Sequence, residues 1–174
     1  IPDANFKAKL LAANSSIYIA RNVSGQYMNI DTNSDGEIQE TEALDVYTLN
    51  IQSSNITDLT GLQSFSNLRQ LYTNNNPGLG NFEYSNLTNL VSLQCANTNM
   101  TVLNVSNLSN LVGLVCSGNQ LTQLEVGNLI NLNSLICGGN QLTQLDVDNL
   151  VNLGELNCGN NLLTQLDVIG NTSL

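Results

Sequence analysis

The sequence predicts an α/β solenoid: a stack of about six coils whose short parallel strands make one concave sheet, with a helical segment covering the N-terminal end. Three observations predict it. Cys95, Cys116, Cys137 and Cys158 recur at a step of 21 residues. Leu90, Leu111, Leu132, Leu153 and Leu174 keep the same step, as do Asn119, Asn140 and Asn161, and Thr101, Thr122, Thr143 and Thr164. Residues 1–47, by contrast, carry no such period and hold an acidic, turn-rich loop.

Aligned, the unit reads N-L-x-x-L-x-C-x-x-N-x-L-T-x-L-D/E-V, and two further copies precede it at a step of 22 residues, with Ile51 and Thr73 in the cysteine position. The strands therefore begin at Leu49, Leu71, Leu93, Leu114, Leu135 and Leu156. This is the leucine-rich-repeat pattern, in which no single unit can bury its apolar face and only stacking closes a core. Alternation in L-x-C turns leucine and cysteine inward and the residue between them outward. Asn119, Asn140 and Asn161 stand where the chain leaves the strand. There a buried amide can bond the backbone groups that a turn strands. The asparagines before Leu68, Leu90, Leu111, Leu132 and Leu153 predict a second such row. The four cysteines read as buried free thiols, because parallel stacked side chains point the same way and lack metal-ligand spacing.

The organisation that follows is a helical N-terminal cap over residues 1–47, containing an EF-hand-like loop at 31–42, and leucine-rich repeats over 48–174. Within the cap, Pro2 to Ala13 reads as a helix, with proline in the first turn, Asp3 at the positive end and Phe6, Leu10 and Leu11 on one face. Ile17 to Met28 reads as a second short helix, with Ile17, Ile19, Val23 and Tyr27 packing inward.

The loop D-T-N-S-D-G-E-I-Q-E-T-E places Asp31, Asn33 and Asp35 at positions 1, 3 and 5, Gly36 at the sharp turn, the backbone carbonyl of Glu37 at 7, Gln39 or a water at 9 and Glu42 at 12. Converging carboxylates repel unless a cation lies between them. The expectation is one structural calcium ion that stiffens the cap.

Composition excludes several functions. The chain of 174 residues has 14 acids against four bases, Lys7, Lys9, Arg21 and Arg69, for a net charge of −10. A phosphate backbone needs several cationic contacts, so nucleic acid is excluded, as is insertion into a membrane, for which no apolar run is long enough. Histidine is absent and no nucleophile stands beside a base, so the chain is not expected to be an enzyme. The repeated acids Glu125, Asp146 and Asp167 read as a solvated face.

Binding is what remains. The outward column Asn50, Tyr72, Gln94, Val115, Ile136 and Asn157 lines the concave sheet, and the candidate ligand residues are Tyr72, Gln94, Val115, Ile136 and Asn157. Val115 and Ile136, beside Gly113, Gly138 and Gly139, form an expected apolar strip.

The repeat L-x-x-L-x-C-x-x-N-x-L-T-x-L-D-V with its cysteine ladder resembles the repeats of internalin-J-like surface proteins. The opening I-P-D-A-N-F-K-A-K-L-L, the D-T-N-S-D-G-E-I loop and I-T-D-L-T-G-L resemble secreted leucine-rich-repeat proteins of flavobacteria and related Bacteroidetes. The resemblance implies a secreted or cell-surface bacterial protein used in adhesion, recognising a protein or a glycan at a cell surface. A carbohydrate-binding module of a larger secreted protein is the alternative. It also leads one to expect further repeats beyond Leu174.

Overall fold

The computed structural model describes all of residues 1–174. Helix α1 spans Ala4–Leu11 and β1 is the short strand Ala20–Arg21; α2 is one turn, Glu40–Ala43. The repeat strands are β2 (Thr48–Asn50), β3 (Gln70–Tyr72), β4 (Ser92–Gln94), β5 (Gly113–Val115), β6 (Ser134–Ile136) and β7 (Glu155–Asn157). They form one seven-stranded sheet in chain order, β1 antiparallel to β2 and every later pair parallel. Register is the sequence period itself: Leu49, Leu71, Leu93, Leu114, Leu135 and Leu156 are successive partners across the sheet.

These short strands persist because every coil shares its core with the next. One continuous cluster of 41 buried residues runs from Phe6 to Leu153. Cys95, Cys116 and Cys137 lie buried in it as free thiols, while Cys158 in the last coil is half-buried. The inward leucines of β2 to β6 are sealed from water, each worth about 1.5–3 kcal/mol of transfer energy, while Leu156 in the last coil is half-buried.

The strand-exit asparagines form a buried ladder. Nδ2 of Asn119 donates to the carbonyls of Cys95 and Cys116 at 2.9 and 3.0 Å, and its Oδ1 accepts from the amides of Thr98 and Met100 at 3.1 Å. Asn161 makes the same pair of donations two coils on, to Cys137 and Cys158, and accepts from the Leu142 amide. The ladder extends further than the expected three rungs: Asn76 bonds Ile51 and Thr73 in the same manner, and Thr98 substitutes for asparagine in the coil between. The second row is also present, Asn67, Asn89, Asn110, Asn131 and Asn152 each donating to a carbonyl of the preceding coil at 2.8–3.1 Å. Two residues after each cysteine the backbone turns left-handed, a conformation filled by Asn97 (φ 55°), Gly118 (φ 66°), Gly139 (φ 67°) and Asn160 (φ 55°).

Two expectations for the N-terminal segment need correction. Ile17 to Met28 is not a helix: it crosses over as β1, whose Ala20 pairs with Leu49, and turns back so that Tyr27 bridges Arg21. Its apolar residues do not all face inward, since Ile19 is buried while Ile17, Val23 and Tyr27 are exposed. The physical reason is the free edge of β2, whose backbone donors and acceptors are met by an extended chain and not by a helix. The first helix is shorter than Pro2–Ala13. Asp3 caps it, accepting from the Phe6 amide at 2.8 Å, and its other oxygen accepts from the Thr57 amide at 2.9 Å, tying α1 to the first coil.

Candidate functional site

The concave sheet positions the candidate ligand residues. Asn50, Tyr72, Gln94, Val115, Ile136 and Asn157 occupy one register column, so Tyr72, Gln94, Val115, Ile136 and Asn157 lie side by side along the sheet. Val115 and Ile136 are half-buried between their neighbours. The apolar strip expected there is therefore narrower than a run of open aliphatics. Gln94 is held by the Asn74 amide at 2.9 Å, and Asn157 is exposed on β7. In the flanking column, Thr48 donates to Gln70 at 3.1 Å and Ser134 to Glu155 at 2.6 Å.

The sheet is not uniform along its length. At the β1–β3 end, aromatic and cationic side chains gather that sequence reasoning did not bring together. Tyr18 lies 5.8 Å from Tyr27 and 6.1 Å from Tyr72, centroid to centroid. The Arg21 guanidinium sits over the rings of Tyr18 at 4.5 Å and Tyr27 at 4.8 Å, and its Nη2 donates to the Tyr27 hydroxyl at 3.1 Å. Arg69 sits 5.8 Å above Tyr47. Burial and the neighbouring Tyr72 hydroxyl push the Tyr18 phenol up to about 12, so it is neutral at physiological pH. A groove beside this cluster is lined by Arg21, Tyr47, Thr48, Arg69, Gln70 and Val91, together with Asn22, Val23 and Gly25. Nothing in the spacing of Tyr18, Tyr27, Tyr47 and Tyr72 groups them in the sequence; the pairing of β1 with β2 does.

The acidic loop is organised by its own hydrogen bonds. Asp31 accepts from the amides of Asp35 at 3.2 Å and Gly36 at 3.0 Å, and Gly36 adopts φ 81°. Asp35 takes the side-chain amides of Asn33 and Gln39 at 3.0 and 2.8 Å and the Glu37 amide at 2.9 Å. Glu42 is buried at the start of α2. One of its oxygens accepts from the Thr32 amide and hydroxyl at 2.7 and 2.8 Å, and the other from the Gln39 amide at 3.0 Å. Burial acts to raise the Glu42 carboxyl, but these bonds outweigh it and hold the group below its ordinary value. Glu37 pairs with Lys7 of α1, which fastens the loop to the helix. All the donors are hard oxygens of the kind calcium takes. As the side chains stand, however, Asp31, Asp35 and Glu42 do not converge on one point, and no group of three or more acidic, cysteine or histidine side chains is disposed to hold a metal.

Glu125, Asp146 and Asp167 lie exposed on the side away from the core, where shallow grooves between coils expose the repeated Thr-Gln pairs. No helix is long and apolar enough to cross a membrane.

No family model matches the chain, and no curated protein matches it in sequence. Solved structures do match its fold. An internalin (InlF) from Listeria monocytogenes superposes with a TM-score of 0.75 at 19% identity, over 95% of this chain and 46% of its own. The functional domain of InlJ from Listeria monocytogenes, which includes a cysteine ladder, gives a TM-score of 0.52 at 23% identity over 99% of this chain and 49% of its own. A leucine-rich-repeat protein of Leptospira interrogans gives 0.63 at 29% identity over 70% of this chain and 33% of its own. The fold is an internalin-like leucine-rich-repeat solenoid. The chain spans about half the length, or less, of these three structures.

Proposed function

We propose that this chain is a non-catalytic recognition and adhesion module of a secreted or cell-surface bacterial protein, and that it binds a partner protein through its concave sheet. The observation that carries the reading is the register of the outward column. Residues a full period apart in sequence become neighbours on one face, presenting amides, a tyrosine and two aliphatics with almost no charge. Aromatic side chains such as Tyr72 are common anchors of protein interfaces, and Val115 and Ile136 add apolar area beside polar neighbours. The likeness in fold to internalins supports the same reading by analogy.

The experiment is retention of proteins from a cell-surface extract on the immobilised chain. The wild type is expected to retain a defined partner, and Val115→Asp and Ile136→Asp, made singly because the two positions are partners across the sheet, each to lose it while unfolding stays cooperative. Equal retention by the variants contradicts use of this face. Binding to neutral sugars on a glycan array, with no protein retained, would favour the carbohydrate-binding alternative.

Calcium in the acidic loop belongs to the same reading. Asp31, Asn33, Asp35, the Glu37 carbonyl, Gln39 and Glu42 are the residues that would hold it. Glu42 and Asn33 would have to exchange internal hydrogen bonds for the cation. Its role there would be to stiffen the loop against α1.

A further inference from the structure

We infer that the groove between Arg21 and Arg69 binds a carboxylate side chain of an acidic peptide segment, supplied by the partner protein.

Of four cations in a chain of net charge −10, Lys7 is paired with Glu37. Arg21 and Arg69 have no carboxylate within ion-pair distance, yet both line one groove, and that groove contains no acid of its own. In a protein with more than three acids for every base, two guanidinium groups lining one groove with no carboxylate of their own suit a negative charge from outside.

The two groups are also held in place. Arg21 is stacked over Tyr18 and Tyr27 and spends one of its five donors on the Tyr27 hydroxyl. Its Nε is out of contact with water and has no acceptor, one of only two buried side-chain polar atoms in the chain left unmet. Arg69 makes no side-chain hydrogen bond and rests against Tyr47. A planar guanidinium fixed on aromatic rings loses little freedom when a carboxylate accepts from it in bidentate fashion. Thr48 and Gln70, on the same wall, are already joined by a hydrogen bond and offer further polar contacts.

The choice of a peptide over an acidic sugar follows from the rings. A pyranose stacks on a bare aromatic face, and here Tyr18, Tyr27 and Tyr47 each carry a guanidinium on one face. The groove continues onto β2 and β3, so an extended segment leaving it runs along the sheet that the recognition reading uses, on which this inference rests.

The test is titration of the folded chain, followed by the side-chain Nε–H resonances of Arg21 and Arg69, with N-acetyl-Gly-Glu-Gly-amide. The glutamine analogue and a trigalacturonate serve as comparisons. Saturable shifts of both resonances with the glutamate peptide, absent with glutamine, are expected, and Arg69→Gln is expected to weaken binding at least about tenfold. Arg69 is exposed, so that variant keeps its fold; Arg21→Gln is read beside it with its melting temperature. No shift, or equal shifts with glutamine, overturns the inference, and tighter binding of trigalacturonate overturns the choice of a peptide. If the wild type retains a surface protein and Arg69→Gln retains it equally well, the groove fails while the recognition face stands. If the peptide binds but no protein is ever retained, the face fails and the groove stands.

Discussion

The side-chain amide of Asn140 donates to the carbonyl oxygen of Cys116, 24 residues away, at 3.0 Å. The same nitrogen reaches Cys137 at 3.0 Å, and Oδ1 accepts from the Leu121 amide at 3.1 Å. One buried side chain therefore serves backbone groups of successive coils, and none of them has water as an alternative. Asn140→Ala is expected to cost about 2–4 kcal/mol, because two or three buried backbone groups lose their partners. Asn149→Ala, at an exposed position, is expected to change stability by less than about 0.5 kcal/mol. Urea unfolding of the two variants checks the contrast.

Asp3 joins α1 to the first coil through opposite oxygens, one for Phe6 and one for Thr57 and Asp58. Asp3→Ala removes the cap and the tether together. It is expected to cost about 1–2 kcal/mol and to speed hydrogen exchange in Ala4–Leu11 before the repeats respond. Uniform acceleration along the chain would contradict a tether that acts locally.

Acid should loosen the N-terminal segment first. Burial acts to raise Asp3 and Glu42, yet the amide and hydroxyl bonds they accept win, and both carboxyls lie below their ordinary values. Asp35 is likewise lowered, first by the Glu37 amide and then by Gln39. A lowered folded-state pKa gives stability that is complete above the unfolded value and disappears as pH falls through the folded one. The urea midpoint is expected to be flat from neutrality to about pH 5 and to fall below that. In Glu42→Gln the fall is expected to be shallower, from a lower starting stability.

The thiols divide by position. Burial raises Cys95 and Cys116 well above an ordinary thiol, and it pushes Cys137 up to about 12. These three are protonated and enclosed at neutral pH, whereas Cys158 is half-buried in the last coil. Iodoacetamide followed by mass spectrometry is expected to mark Cys158 first in the native chain and the other three only on unfolding. Equal native labelling of all four would contradict an interior row.

Calcium is expected to raise the melting temperature of the wild type, an effect abolished by EDTA and by Asp31→Asn with Glu42→Gln. The bonds Glu42 now makes to Thr32 and Gln39 set the competing state. An unchanged melting temperature at millimolar calcium would mean that the loop is closed by its own hydrogen bonds.

The strands, the buried asparagines and the inward cysteines were all legible in the sequence, because stacking turns a linear period into spatial contact. Thr98 as a rung was not, since threonine breaks the motif and only the coil-to-coil bond to Asn119 reveals its place. Residues 17–28 misled for a related reason. Apolar residues at Ile17, Ile19, Val23 and Tyr27 fit a helix as well as an extended chain, and the free edge of β2 decides between them. The Tyr18–Arg21–Tyr27–Tyr72 cluster depends on that same pairing, so it could not be seen before the segment was placed. In the acidic loop the spacing could not show the amides and the hydroxyl that already occupy Glu42.

The central claim is that residues one period apart are neighbours in space, and deletion tests it most directly. Removing residues 113–133, one full period, is expected to leave a cooperative fold of somewhat lower stability, because Val112 then leads into Ser134 with the register intact. Removing only residues 113–123 is expected to destroy cooperative unfolding, although it discards less of the chain. If the shorter deletion is tolerated as well as the longer one, or the full-period deletion unfolds the protein, the coils are not stacked in register.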